Sequence, residues 1–267
     1  MLKLMYITNS PEVASIADGA GVDRIFIDLE QYGKEKRQKN WDSVKSKHSI
    51  SDIPKVKSAV KNAQIFVRTD PIFDGFSDEL EGVLACEPDV VMLPYFKTVR
   101  EVETFIKAVD GRATTSLLLE TGEAAEQIDD IISVGGIDEI HIGLNDLSHS
   151  YGKKFLFEEL ADGTVDRLVE RFKADGIKNY GFGGIASLGS GLLPADYAHS
   201  SASAGFLLPC GCCPACRSWY SDRTRNILPP LRLHRFSCNR YISRCKHSSD
   251  VLPVRESYGR TSSVRLP

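Results

Sequence analysis

The sequence predicts an α/β protein, specifically a TIM-type (β/α)8 barrel in which the eighth βα unit is missing or replaced by an irregular tail. Seven short apolar runs alternate with segments of helical spacing, and their succession is regular, without the pronounced break of an open doubly wound sheet. An open sheet remains the alternative. In both architectures ligands bind beyond the carboxyl ends of the strands, so the candidate site residues are those that follow each strand.

Each predicted strand is a short run rich in β-branched, leucine or aromatic residues. The predicted strands cover residues 2–7, 24–27, 64–67, 89–93, 115–119, 137–142 and 180–185. Apolar residues spaced three or four apart predict helices over 11–19, 53–62, 76–86, 99–109, 123–133 and 165–174. Ser10 is a suitable N-cap for the first helix, and Pro11 suits its first position.

Two carboxylates follow two successive strands in the middle of the chain. Glu120 comes directly after the fifth strand, and Asp146 comes shortly after the sixth. A strand–helix–strand unit joins parallel neighbours by a crossover, so both acids should emerge at one edge of the sheet and converge. Asp28, Glu30 and Arg68 follow the second and third strands at equivalent places.

Each of these residues also has a structural interpretation. An acid at the end of a strand often caps the next helix, and Asp146 is placed to cap a short helix. Arg68 is able to pair with Asp28 or Glu30 instead of binding a ligand. These two acids then serve to order the loop or to support the site.

Charge and cysteine content divide the chain near residue 196. Residues 1–196 contain 22 Lys and Arg against 33 Asp and Glu, a net charge of −11, whereas residues 197–267 contain 11 against 3, a net charge of +8. Six of the seven cysteines lie in the second part. We therefore predict a folded domain over 1–196 and a tail rich in Cys, Arg, Ser and Pro over 197–267.

The tail has two interpretations. One is a zinc module, with thiolates and imidazoles from Cys210, Cys212, Cys213, Cys216, His234, Cys238, Cys245 and His247. The cysteines include one Cys-x-x-Cys pair, Cys213 and Cys216, and no second pair at matching spacing, which makes the zinc signal weak. The interpretation that we favour is a shift of reading frame near Asp196, which predicts a mostly disordered tail.

Targeting and partner signals are few. Glu12 and Asp18 interrupt the region where a signal peptide has its apolar centre, and no run approaches the length of a membrane span. We expect a cytoplasmic protein without a membrane partner. The basic run KEKRQK, residues 34–39, lies in an acidic domain without interleaved aromatic residues, so we interpret it as a solvated loop and expect no nucleic-acid partner.

Five motifs in order carry a family resemblance: IFIDLEQYG, FVRTDP, VVMLPYFKTVREVE, LLLETGEAAEQIDDII and IDEIHIGLNDLSHSYG. They resemble the HpcH/HpaI aldolase and citrate lyase family, and the likeness extends to about residue 196. The resemblance implies that Glu120 and Asp146 hold a divalent cation and that Arg68 binds substrate. It also places Asp28, Glu30 and Gln31 beside the substrate, and it implies a homo-oligomer if the C-terminus is intact.

The implied activity is a metal-dependent carbon–carbon lyase. Mg²⁺ or Mn²⁺, which prefer oxygen ligands, would be held by the two carboxylates, and a 2-oxo acid such as pyruvate would leave through a metal-stabilised enolate. Glu120, Asp146 and Arg68 are the predicted catalytic residues. The alternatives are an acyl-CoA lyase like the citrate lyase β subunit and an inactive barrel that serves as a binding or assembly subunit.

The general base is the weak point of the resemblance. Pyruvate aldolases of the family usually carry a histidine after the D-x-E acid, and this sequence has Gln31 there, which cannot take a proton. Either a metal-bound water or another group such as His141 or His149 supplies the base. His141 lies inside an apolar run, which favours a packed barrel residue, and His149 lies at a more exposed position.

Overall fold

The structure, a computed structural model, describes residues 3–33, 47–153 and 158–183, and the backbone of Phe206–Leu207. It is an α/β fold with a curled sheet in which all strands are parallel. The strands are β1 Lys3–Ile7, β2 Arg24–Asp28, β3 Gln64–Arg68, β4 Val90–Leu93, β5 Thr114–Leu119, β6 Glu139–Ile142 and β7 Asn179–Phe182. They lie side by side in chain order, as expected for successive βα units.

The helices of the described residues lie between these strands. They are α1 Pro11–Gly19, α2 Asp52–Ala59, α3 Phe76–Leu84, α4 Val99–Val109, α5 Gly122–Glu126, α6 Ile128–Ser133, α7 Leu144–Ser150, α8 Glu158–Ala161 and α9 Thr164–Ala174. None of them is long and apolar enough to cross a membrane. Ser10 caps α1 as predicted, because its hydroxyl accepts a hydrogen bond from the Val13 backbone N–H at 3.3 Å.

The helix predicted over 123–133 is broken into α5 and α6. The break falls at Gln127, whose backbone leaves the helical conformation with φ −103° and ψ 19°. Its side-chain amide donates to the carbonyl of Lys97 at 3.1 Å and to that of Glu123 at 2.9 Å. The pattern of apolar residues continues across the break, which is why the sequence suggested one helix.

Side chains on the concave face of the sheet form three layers. Because residues alternate between faces along a strand, Arg24, Phe26 and Asp28 of β2 share this face, and the register sets Phe26 and Asp28 opposite Phe66 and Arg68 of β3. The middle layer is apolar and consists of Met5, Phe26, Phe66, Val90, Met92 and Leu118. Polar layers therefore lie at both ends of an apolar interior.

Two residues show how strongly the sheet curls. Arg24 of β2 and Glu139 of β6 form a buried ion pair at 2.6 Å, although three strands separate β2 from β6 in the sheet. In a flat sheet those two strands would lie about 19 Å apart. The contact requires curvature of the kind seen in TIM-type folds, which agrees with the predicted fold class.

The opposite face of the sheet packs on the helices. This outer core is larger and contains the alternate strand residues, such as Ile25, Ile27, Val67 and Val91, together with helix residues such as Phe105. All five are fully buried. Burial on both faces explains why the strands are nearly continuous apolar runs.

A two-residue strand, β8 Phe206–Leu207, pairs in parallel with the free side of β1, where Lys3 and Leu4 lie opposite it. The helix of an eighth βα unit falls outside the described residues. The prediction that this unit is missing or replaced therefore stays a prediction, as does the domain boundary between residues 196 and 197. The cysteines and histidines of the suggested zinc module and the basic run 34–39 also lie outside the described residues.

Candidate active site

Arg68 is the centre of the polar layer at the carboxyl ends of the strands. Its Nε and Nη2 atoms each donate to the Asp28 carboxylate at 2.8 Å, and Nη2 lies 3.2 Å from a Glu30 oxygen. The guanidinium also lies 5.5 Å from the centroid of the Phe26 ring. The suggested pairing of Arg68 with Asp28 or Glu30 is thus present with both acids.

Glu120 belongs to the same charged group. Burial alone would lower the pKa of Arg68, but the charges of Asp28 and Glu30, followed by that of Glu120, raise it well above its usual value. Three carboxylates therefore act on one guanidinium that is 15% exposed in its side chain. Nη1 meets no hydrogen-bond acceptor among the described residues, so this edge of the fork is available to a bound anion.

The turn after β4 fixes the Glu120 side chain. Tyr95 has a left-handed backbone, with φ 47°, and its N–H donates to Oε1 of Glu120 at 3.0 Å. A non-glycine residue in this region carries a strain of about 1–3 kcal/mol, which the surrounding structure must support. Part of that support comes from the hydroxyl of Thr121, which donates to the Phe96 carbonyl at 2.7 Å.

Asp146 lies in the first turn of α7, the helix that follows the neighbouring strand β6. β5 and β6 are paired through Leu119 and Ile142, and the next residue, Gly143, is the N-cap of α7. A Cβ atom built on Gly143 would lie 2.6 Å from Oε2 of Glu120, so this glycine permits the close approach of the carboxylate. The alternative that Asp146 caps this helix is wrong, because Asp146 lies within α7 and is half-buried.

Gln31 lies at the edge of this group. Its side chain is exposed, and its amide donates to the carbonyl of His48 at 3.4 Å. His48 is buried and accepts a hydrogen bond at Nδ1 from the Asp28 backbone N–H at 3.0 Å. His48 therefore stabilises the end of β2, although no sequence motif connects these two parts of the chain.

The two histidines considered as bases differ sharply in environment. His141 is 2% exposed on the concave face of β6, as predicted for a packed residue. Burial, together with the charges of Arg68 and Arg24, lowers its pKa to about 3, so it is neutral at physiological pH. His149 lies exposed in the last turn of α7, one turn after Asp146.

The residues present fit a hard divalent cation. The described residues contain no group of three or more His, Cys, Asp or Glu side chains placed to hold a metal ion, and the predicted ligands are the two carboxylates of Glu120 and Asp146. Mg²⁺ is often held by one or two carboxylates, with water and substrate oxygens completing the shell. Carboxylates outnumber the guanidinium in this layer, which favours a bound cation.

The structure brings Asp28, Glu30, Arg68 and Glu120 together and places Asp146 in the helix that follows the adjoining strand, while Gln31 is peripheral. Sequence reasoning missed Asp70, Glu79, His48 and Tyr95. Asp70 could have been found from the sequence, because it follows Arg68 by two residues at the end of the third strand. His48 lies 17 residues beyond Gln31, and no motif connects it to the site. The roles of all these residues remain predictions.

A comparison with protein-family models shows to which family this chain belongs. The family model of HpcH/HpaI aldolase/citrate lyase matches residues 3–181. The chain belongs to this family. The comparison with curated proteins finds no match.

Solved structures of the HpcH/HpaI family share the fold. An HpcH/HpaI aldolase/citrate lyase family protein from Burkholderia cenocepacia J2315 is 14% identical, with a TM-score of 0.62 over 84% of this chain and 91% of its own. An HpcH/HpaI aldolase from Desulfitobacterium hafniense DCB-2 is 16% identical, with a TM-score of 0.61 over 86% and 95%. The citrate lyase β subunit from M. tuberculosis, complexed with oxaloacetate and magnesium, is 16% identical, with a TM-score of 0.52 over 84% and 96%.

Membership of the HpcH/HpaI family supports the general prediction of a lyase, since the family comprises aldolases and citrate lyases. The identities of the solved structures establish a shared fold.

Proposed function

We propose that the protein is a divalent-metal-dependent lyase that cleaves a carbon–carbon bond of a 2-oxo acid by retro-aldol chemistry. The observation that carries this proposal is the position of Arg68, which lies among the carboxylates of Asp28, Glu30 and Glu120 at the carboxyl ends of the strands. This edge of a parallel sheet is where ligands bind in such folds.

Arg68 binds the carboxylate of the oxo acid. Its Nε and Nη2 edge is held by Asp28 and Glu30, which fixes the plane of the guanidinium before substrate arrives. The Nη1 edge then presents donors in a fixed direction. A guanidinium fixed in this way loses little conformational freedom on binding, which favours affinity.

Glu120 and Asp146 are the residues that would hold Mg²⁺ or Mn²⁺. When bound, the cation supplies Lewis-acid stabilisation of the negative charge that develops on the 2-oxo oxygen. The hydrogen bond from Tyr95 N–H to Oε1 orients the Glu120 carboxylate for this role. The citrate lyase β subunit from M. tuberculosis, a structural neighbour complexed with oxaloacetate and magnesium, supports this choice of cation.

The reaction requires one proton transfer in each direction. A base removes the proton of a 4-hydroxyl group, the bond between C3 and C4 breaks, its electron pair passes into the 2-oxo group, and C3 takes up a proton. Gln31 cannot accept the first proton, and His141 is buried with a pKa of about 3. His149 is the remaining candidate of the two histidines, and solvent is the alternative.

The test is a cleavage assay with purified protein, Mg²⁺ or Mn²⁺, and a panel of 4-hydroxy-2-oxo acids and acyl-CoA esters. We expect cation-dependent release of pyruvate or a related oxo acid. Arg68→Lys keeps the charge but removes the fork, so kcat/KM should fall by about 100-fold or more. Arg100→Lys, on the exposed side of α4, is the matched control and should leave kcat/KM unchanged.

Three outcomes would contradict the proposal. Cleavage that depends on a CoA ester would identify an acyl-CoA lyase instead. Cleavage that persists at the same rate with chelator present would exclude the metal role. The absence of cleavage across the panel by a folded protein would favour an inactive barrel that serves in binding or assembly.

A further inference from the structure

Asp70 fixes the chain segment that follows β2. Its Oδ1 atom accepts hydrogen bonds from the backbone N–H groups of Gln31 at 2.6 Å and Tyr32 at 2.7 Å. Bonds from a backbone donor to a carboxylate are charge-assisted and stronger than neutral ones. Asp70 itself lies in the loop after β3, two residues beyond Arg68.

Glu79 fixes Asp70 in turn. It lies in the first turn of α3, and its Oε1 atom accepts a hydrogen bond from the Asp70 backbone N–H at 3.0 Å. Its Oε2 atom is buried and meets no hydrogen-bond partner in the described part of the chain. A buried carboxylate oxygen without a partner lowers stability, so its presence here suggests a role other than stability.

Arg68 contacts the same segment at the residues just before Gln31. Arg68 forms ion pairs with the side chains of Asp28 and Glu30. Asp70 accepts hydrogen bonds from the backbone N–H groups of the next two residues, Gln31 and Tyr32. Two side chains from one strand end therefore fix one short segment by different means. Movement of that segment would change the hold on the guanidinium.

We propose that Asp70 and Glu79 are positioning residues for the candidate site, which hold the segment after β2 so that Asp28 and Glu30 keep Arg68 oriented for the substrate carboxylate. This inference rests on the proposed lyase function. Neither residue touches the substrate. Their effect passes through the Gln31 and Tyr32 backbone to Glu30 and Arg68.

The charge on Glu79 makes this arrangement sensitive to pH. Burial raises the pKa of Glu79 to about 7, the hydrogen bond from Asp70 opposes that rise, and the charge of Asp70 adds to it. Among the described residues Asp70 is the charged group that acts on Glu79. Above pH 7 the ionised Glu79 accepts the Asp70 N–H more strongly, and this effect exceeds the repulsion between the two acids, so the hold on the segment becomes tighter.

The experiment compares Asp70→Ala and Glu79→Ala with conservative variants of the same residues. Asp70→Asn keeps an oxygen that accepts both N–H groups, and Glu79→Gln keeps the acceptor for Asp70 N–H without a charge. Asp78→Ala is the matched control, because Asp78 is an exposed acid in the same turn of α3. All variants are made in the full chain.

The first measurement is amide hydrogen exchange at Gln31 and Tyr32, without substrate. Asp70→Ala should speed exchange at both amides by about tenfold or more, and Glu79→Ala should do so to a smaller extent. Asp70→Asn keeps a neutral oxygen that accepts weaker bonds, so it should speed exchange less than Asp70→Ala does, and Asp78→Ala should leave both rates unchanged. Unchanged exchange in Asp70→Ala would overturn the inference whatever the activity.

The second measurement separates KM from kcat for the 2-oxo acid that is cleaved. Asp70→Ala should raise KM by about tenfold with little change in kcat, because the loss falls on binding by Arg68. In the wild type KM should fall between pH 6 and pH 8 as Glu79 ionises, and in Glu79→Gln this fall should be absent. A KM that changes equally with pH in both proteins, or that rises in the wild type alone, would overturn the role of Glu79.

The two failures can be told apart. Suppose that exchange is faster in Asp70→Ala but the wild type cleaves no oxo acid. The lyase proposal and the link to substrate would then be refuted, whereas the role of Asp70 in fixing the segment would stand. Unchanged exchange in a wild type that does cleave would refute the positioning role alone.

Discussion

Arg24 and Glu139 are 115 residues apart and form a two-pronged ion pair inside the curled sheet. Nη1 and Nη2 of Arg24 donate to the two Glu139 oxygens at 2.6 Å and 2.7 Å, and Nε donates to Gln64 at 3.0 Å. Arg24 is 1% exposed and Glu139 is 2% exposed. The pair lies at the end of the interior opposite the candidate site, so it stabilises the fold away from the chemistry.

Glu139→Gln removes the negative charge that forms the buried ion pair with Arg24. We expect the free energy of unfolding to fall by about 3–5 kcal/mol, because removal of one partner of a buried pair leaves an uncompensated charge. Urea titration monitored by circular dichroism measures it. The control is Glu81→Gln, which removes an exposed ion pair with Arg112 at 2.6 Å and should change stability little. Equal losses in the two variants would contradict the importance of burial.

Gly143→Ala tests the close approach of Glu120 without changing a candidate ligand. The added Cβ would lie 2.6 Å from Oε2 and 2.7 Å from Cβ of Glu120, so the carboxylate and the backbone that carries it must both shift. The backbone of Gly143 has φ −85°, which alanine adopts without strain. We expect cation affinity to fall by about tenfold or more while the fold is retained. Gly19→Ala, where no atom lies within 4 Å of the added group, should leave the affinity unchanged.

Glu120→Gln and Asp146→Asn remove one candidate ligand charge each. Both side chains keep their size, and Gln at position 120 keeps an oxygen for the Tyr95 N–H, so the fold should persist. We expect binding of Mn²⁺, followed by electron paramagnetic resonance, to weaken by about 100-fold or more in each variant. Glu123→Gln, an exposed acid paired with Lys97, is the control. Full Mn²⁺ affinity in either ligand variant would exclude the two-carboxylate site.

His141 makes stability depend on pH in the acid range. Its pKa is lowered from 6.5 to about 3 in the folded protein, so between these values the unfolded chain binds the proton more strongly. The free energy of unfolding should therefore fall as pH decreases from 6.5 towards 3. His141→Gln lacks this contribution, and its stability should fall less over the same range. Urea titrations at pH 7 and pH 4 measure the difference, and parallel losses would contradict it.

Glu79 contributes in the opposite direction. Its pKa is raised from 4.5 to about 7 in the folded protein, so the folded protein binds the proton more strongly between these values. Stability from this group is present below pH 4.5 and is lost as pH rises towards 7. Glu79→Gln should lack this loss. Thermal unfolding at pH 5 and pH 7.5 should show a smaller decrease in Tm for the variant, and an unchanged decrease would rule out a raised pKa.

The sequence by itself determined the succession of elements. The strands and the helix Val99–Val109 follow from apolar spacing, which is a local property of a few consecutive residues. The positions of Glu120 and Arg68 at strand ends follow equally, because parallel neighbours deliver such residues to one edge. The family resemblance rested on the same local motifs and was confirmed by the family model.

Only the tertiary structure decided which distant side chains meet. The pairing of Arg24 with Glu139 requires β2 and β6 to face each other across a curled sheet, and no local pattern encodes that curvature. His48 reaches the end of β2, and Asp70 reaches the segment after it, through loop paths that periodicity does not specify. The sequence did not predict the break at Gln127 either, because the hydrogen bond from its amide to the Lys97 carbonyl depends on how α4 and α5 pack. Spacing along the chain fixes the face on which a side chain lies, whereas its partner depends on where the rest of the chain packs.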